Sequence, residues 1–186
     1  GYSPLRLAAR DGHTATVNAL IAAHANIESK DNSGPTPLHW AACKGNTATA
    51  LALIEQHANI EAKNNDGLTP LHAAAHEGHT ETALALIDQG ANKEAKDKDG
   101  HTPLHWAARI GYTATALALI DAGAEKEAKD SADRTLLHWA AYNGHTATIN
   151  ALIDAGAENE AKDSDDRTPL HMAAHNGHAA TALALI

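Results

Sequence analysis

TPLHWAA occupies residues 36–42 and returns unchanged at 102–108. Close copies stand at 69–75 (TPLHAAA), 135–141 (TLLHWAA) and 168–174 (TPLHMAA), with a worn one, SPLRLAA, at 3–9. Each copy starts 33 residues after the one before it. A strict period of that size, with no insertion or deletion, is the signature of an array in which one supersecondary unit stacks on itself.

Residues 97–129, DKDGHTPLHWAARIGYTATALALIDAGAEKEAK, show what one unit contains. DKDG supplies a tight reversal, because Asp and Gly accept the backbone angles it demands. Thr102 offers an N-cap oxygen and Pro103 suits the first helical position. Leu104, Ala107 and Ala108 then fall at i, i+3 and i+4 on one face of a short helix, which Gly111 ends. A second helix runs from about Thr113, with Leu117, Ile120 and several alanines expected to face inward, until Gly123 closes it. Helices of two to three turns do not persist alone in water, so each unit must bury its apolar face on a neighbour. TPLHWAA recurs because every layer needs the same helix start and the same small inward face.

The period of 33, the pattern T-P-L-H-x-A-A-x-x-G and the trailing G-A-x-x-E-A-K-D resemble the ankyrin repeat along the whole chain. The resemblance implies an all-α solenoid of stacked helix-turn-helix units with β-turn fingers. It divides the single array 1–186 into full repeats 31–63, 64–96, 97–129 and 130–162, flanked by partial units 1–30 and 163–186. It further implies that His39, His72, His105, His138 and His171 hydrogen-bond around the turn and tie layers together. The first helices and turn tips would line a concave surface that binds other proteins. The chain departs from the pattern at Leu136 (for proline), Arg6 (for histidine), Asp133 and Asp166 (for the turn glycine), and His24 and His57 (for the glycine after the second helix). Aspartate tolerates the left-handed region better than most residues, so those turns should survive. Both ends fall inside the repeat without a polar capping layer, and Ile186 is a core-type residue. A piece of a longer array is therefore expected, a monomer with end-to-end contacts open to it through uncapped termini.

Composition narrows the function classes. The chain is 44% apolar but has no Phe and only 3% aromatic residues, so its core must be close-packed helices with small contact residues. No apolar run approaches the roughly 18–20 residues of a membrane span, and no signal-peptide pattern occurs; membrane insertion is not expected. A formal charge of −9 repels phosphate backbones, so no nucleic-acid partner is expected. The single cysteine, Cys43, excludes an internal disulfide framework and suits a reducing, intracellular setting such as the cytoplasm. Lys44 beside it would favour the thiolate, although an incidental exposed thiol is the plainer reading. Fourteen histidines invite a zinc site, with His72/His76 and His171/His175 at i, i+4. No Cys accompanies either pair as a third ligand, and HEGH at 76–79 lacks the HExxH spacing. Possible nucleophiles repeat in every layer, whereas catalysis depends on one environment unlike the rest. No enzyme activity, cofactor or metal is expected.

What remains informative is where the layers disagree. Near the turns these positions include Asn32, Ser33, Pro35, His101, Arg134 and Arg167; late in the first helices they include Cys43, Lys44, His76, Glu77, Arg109, Ile110, Tyr142 and Asn143. Packing does not dictate them, so recognition can. The leading partner contacts are His76, Glu77, His101, Arg109, Ile110, Arg134, Tyr142, Asn143 and Arg167, with Arg109, Arg134 and Arg167 suited to an acidic segment. Trp40, Trp106 and Trp139 border that face and either fill the gap between helices, as Leu7 and Met172 do at the same offset, or touch the ligand. Lys30, Lys63, Lys96, Lys129 and Lys162 each follow a Glu by two residues and read as neutralised surface pairs. The reading is a non-catalytic protein-protein interaction module binding a protein or peptide on its concave face. The alternatives are a structural spacer array without its own ligand, natural or engineered, and a methyl-lysine peptide reader using Trp cation–π contacts. Against the last, the Trp residues stand on separate layers with Ala73 interrupting them. A synthetic peptide of residues 97–129 alone is expected to show no helical circular dichroism, because it lacks the neighbour its apolar face requires.

Overall fold

The computed structural model describes residues 3–30, 32 and 34–186; of the positions singled out above, Ser33 lies outside them. Twelve helices, and no strand among the described residues, pair in chain order. The first helices of the pairs are α1 (Pro4–Arg10), α3 (Pro37–Cys43), α5 (Pro70–His76), α7 (Pro103–Ile110), α9 (Leu136–Tyr142) and α11 (Pro169–His175). Their partners are α2 (Thr14–Ala22), α4 (Thr47–Glu55), α6 (Thr80–Asp88), α8 (Thr113–Asp121), α10 (Thr146–Asp154) and α12 (Ala179–Ala184). Each first helix packs on the next first helix and each second helix on the next second helix, which makes the expected solenoid. None of these helices is long and apolar enough to cross a membrane.

The core is the same in each layer. Leu5, Leu38, Leu71, Leu104 and Leu137 are each 1% exposed, and the alanine pairs that follow them are almost fully buried. Burying one such leucine is worth about 1.5–3 kcal/mol, and the alanines let neighbouring helices approach closely enough to make that burial complete. From the second helices come Val17, Leu53, Leu86, Leu119 and Leu152. Leu117 is a correction: it is only half-buried and outside the core, where Ala116 and Leu119 stand instead, while Ile120 packs at the core's edge. The register of α8 is set by a ladder of threonine hydroxyls between layers, Thr80 to Thr115 at 2.7 Å and Thr113 to Thr148 at 2.8 Å. Turning Thr115 inward turns Ala116 and Leu119 inward with it, and swings Leu117 away.

Histidine ties the layers at the turns. The backbone N–H of Thr36 donates to His39 Nδ1 at 3.1 Å, so that nitrogen is an acceptor and the ring proton sits on Nε2. Nε2 then donates to the Leu68 carbonyl of the next layer at 2.9 Å. His72 reaches the His101 carbonyl in the same way at 3.1 Å, and His138 reaches that of Arg167 at 2.9 Å. A second set, His79, His145 and His178, bonds backwards to the carbonyls of Cys43, Arg109 and Tyr142. The Glu–Lys pairs expected on the surface take another form. Lys30, Lys63 and Lys96 each donate to the carbonyl of the corresponding lysine one layer on, and Glu61 and Glu94 accept the N–H groups of Asn92 and Glu125. Asp133, Asp166, His24 and His57 hold φ between 58° and 68°, the left-handed angles of the glycines they replace.

Burial holds His39, His72 and His105 down to a pKa of about 4, against an ordinary 6.5. Their neutral forms favour the fold fully above pH 6.5, and that stability is drawn down as pH falls toward about 4, because the unfolded chain takes up protons the folded layers refuse. The unfolding free energy from urea titrations, and with it the midpoint, should therefore fall steadily between pH 7 and pH 4.5, the free energy by up to about 1.4 kcal/mol per pH unit for each histidine. A midpoint independent of pH across that window would contradict the neutral-histidine ties.

Candidate functional site

The first-helix face is organised by the turn that precedes each helix. Asp97 Oδ1 accepts the N–H groups of Asp99 and His101, both at 2.9 Å, and Asp130 Oδ1 accepts those of Ala132 and Arg134. The second carboxylate oxygen is then free to reach the helix that follows. Asp97 Oδ2 takes the indole N–H of Trp106 at 3.0 Å, and Asp130 Oδ2 takes that of Trp139 at 3.0 Å. Burial opposes the charge on Asp130, but His101, the two backbone N–H groups and the indole outweigh it and hold its carboxyl well below the usual carboxylate range.

With their polar edges satisfied, the indoles present their rings to side chains of neighbouring layers. The Arg109 guanidinium lies 4.9 Å from the Trp106 ring centre and 4.7 Å from that of Trp139, bridging two layers. Arg134 covers Trp139 at 4.2 Å while its Nε donates to Asp130 at 2.9 Å. The His76 ring lies tilted against Trp106 at 5.1 Å, and Tyr142 meets Trp139 edge-on at 6.1 Å. Cation–π contacts at exposed sites contribute about 0.5–1 kcal/mol each. Trp139 is thus a buried packing element, and Trp106 is half-buried beneath the same face.

Five of the expected contact residues, His76, His101, Arg109, Arg134 and Tyr142, gather around Trp106 and Trp139. His101 is a correction as a surface contact: it is 4% exposed, wedged between Asp97, Asp130 and the two indoles, so it supports Trp139 from behind. Arg134, Tyr142 and Arg167 line a hollow of about 160 Å³. Arg167 is bound to Asp163 at 2.9 Å and Asp165 at 2.7 Å. Glu77 is bound to His76 at 2.9 Å, and the Asn143 amide donates to the Trp139 carbonyl. Ile110 and Tyr142 are open to solvent, at 37% and 47% exposure. Cys43 is half-buried rather than exposed; burial and then the nearby Glu77 push its thiol up, overriding Lys44. Both ring nitrogens of His72 are engaged within the protein, so it has none to offer a metal alongside His76. No group of three metal-ligating side chains occurs among the described residues.

The aspartate–indole bond escaped the reading by residue type. Its signal was a spacing of nine residues, Asp97 to Trp106 and Asp130 to Trp139, absent where Asn64 precedes Ala73.

Against known proteins, a family model described as ankyrin repeats, in three copies, matches residues 1–64, 49–130 and 126–186. A search of the curated proteins gave no match.

Asp130 is the keystone of the cluster, since its two oxygens serve at least four donors. Asp130→Ala is expected to lower stability by about 3 kcal/mol, as loss of a buried charged partner does. Asp130→Asn should cost less, because an amide oxygen still caps both backbone N–H groups, as Asn64 does for Asp66 and Leu68. Urea unfolding of the two variants checks the order.

Proposed function

The chain belongs to the ankyrin-repeat family, whose repeats serve generally as protein-protein interaction modules, and on that premise we propose that it binds a partner protein or peptide on the first-helix face and turn tips. The observation that carries this reading is the state of Arg109. Its guanidinium is held between two indoles, and among the described residues it has no ion-pair partner. A planar cation fixed in place before a ligand arrives loses little freedom on binding, and its edges donate readily to a carboxylate. Arg134 and Arg167 flank it but already answer Asp130, Asp163 and Asp165, so Arg109 is the main attraction for an acidic segment. Ile110 and Tyr142 add exposed apolar surface on adjacent layers, and His76, Glu77 and Asn143 complete the rim. His101 contributes from behind Trp139.

A spacer chosen for stacking alone does not call for solvent-exposed Ile110 and Tyr142 beside an unpaired arginine. Between Trp106 and Trp139, Arg109 already covers the ring faces that a methylated lysine would need. The repeat family is a non-enzymatic interaction fold, which fits the even distribution of reactive side chains over the layers.

The test is affinity capture from a cell lysate with the chain and with the double variant Arg109→Ala/Tyr142→Ala. The reading expects a specific protein to be captured at least tenfold less by the variant, under conditions where urea unfolding shows both chains fully folded and the variant's stability reduced only by the lost ring contacts. Glu81→Ala/Asp121→Ala, on the exposed second-helix surface, should leave capture intact. Equal capture by all three chains would move recognition off the first-helix face.

A further inference from the structure

The stack on the first-helix face is interrupted once. The offset that carries Trp40, Trp106 and Trp139 carries Ala73 in the layer between the first two. In place of a side chain there is a cavity of about 220 Å³, lined chiefly by apolar atoms and walled by Trp40, Cys43, Leu68, His76, Glu77 and Trp106. Pockets for drug-sized ligands run to about 300–1,000 Å³, so this one is sized for a single side chain. The methyl-lysine reading counted Ala73 as an interruption; in three dimensions the interruption is what lets two tryptophans face one space.

The same layer differs at a second point. Asn64 also lines the cavity and stands where Asp97 and Asp130 stand in the layers that keep their indoles. Its Oδ1 accepts the N–H groups of Asp66 and Leu68, both at 2.9 Å. Its other terminal atom, in the place of the oxygen that accepts an indole N–H, is therefore an N–H donor. The layer has exchanged an indole and its acceptor for a hole and a donor.

We propose that this cavity receives a tyrosine side chain of the partner, its ring in the place of the missing indole and its hydroxyl oxygen accepting from Asn64 Nδ2. This rests on the protein-binding reading above. The hydrogen-bond chemistry selects the residue. Tryptophan sets its only N–H against the amide donor, phenylalanine leaves that donor unpaired, and a lysine ammonium opposes it with another donor. The apolar walls and flanking indoles favour an aromatic ring over a hydrated polar chain.

The proposal can be tested without the partner, using the side-chain analogues p-cresol, toluene and 3-methylindole titrated into ¹⁵N-labelled chain. Saturable shifts at the Trp40 and Trp106 indole N–H signals are expected with p-cresol, with affinity about fivefold above toluene for one added hydrogen bond. 3-Methylindole should bind more weakly than p-cresol, and Asn64→Asp, which keeps the one oxygen that accepts both turn N–H groups, should strengthen it. Ala73→Trp should abolish p-cresol binding in a chain that circular dichroism shows to be folded. The proposal is overturned by an absence of saturable shifts up to the solubility limit of p-cresol, or by equal binding in Ala73→Trp. Tetramethylammonium shifting the same signals more strongly than p-cresol would overturn it too, in favour of a cation. Failure of p-cresol with capture still dependent on Arg109 removes this proposal alone; failure of capture with p-cresol bound removes the protein-binding reading.

Discussion

A neutral imidazole with its proton on the outward nitrogen is the constraint on which the array depends. His39, His72, His105 and His138 each accept from their own threonine and donate to a carbonyl of the following layer, and only the neutral tautomer with the proton on Nε2 does both; His171, in the last layer, makes the threonine bond alone among the described residues. The bond does for the turns what the leucine and alanine face does for the helices: it lets a short unit end against another copy of itself. Because each layer supplies a carbonyl at the same place, the same sequence solves the same problem repeatedly. Burial of His39, His72 and His105 follows from this geometry, and their low basicity follows from the burial.

The face that distinguishes this chain is built from the same turns by a second use of one residue. A carboxylate at the head of the turn caps two backbone N–H groups with one oxygen and anchors an indole with the other. Once the indole edge is satisfied, its ring is available to a cation from the neighbouring layer. Tryptophan then packs within the scaffold directly beneath the first-helix face. The arginines are not equivalent for the same reason. Arg134 and Arg167 lie within reach of turn aspartates, whereas the Arg109 guanidinium, at the end of α7, lies over two rings and has no ion-pair partner among the described residues.

Variation between layers acquires meaning against this background. Asn64 and Ala73 are unremarkable one at a time, and either alone would leave the array intact. Together they remove an indole and reverse the hydrogen-bonding sense of the group that would hold it, on a stretch of the face otherwise filled. Much of the apolar wall persists because Trp40, Cys43 and Trp106 belong to the neighbouring layers, with Leu68 supplied by the layer itself.

The period, the helix starts at each Thr-Pro and the leucine and alanine core of the first helices were legible in the sequence, because they follow from local chemistry repeated at a fixed interval; the tying role of the histidines came from the resemblance to the ankyrin repeat and holds for His39, His72, His105 and His138 but not for His171. So was survival of the turns at Asp133 and Asp166, which depends on a single residue's tolerance of positive φ. The inward set of the second helices was misread at Leu117, since an amphipathic pattern rich in alanine does not define its own rotation and the threonine ladder between layers does. His101 looked like a turn-tip contact, but the stacking of two fingers encloses it. The burial of His101, the bridging of Trp106 and Trp139 by Arg109, and the cavity at Ala73 were decided by tertiary structure alone. Each depends on the distance between side chains of different layers, and a sequence states the order of those layers without stating how far a side chain reaches between them.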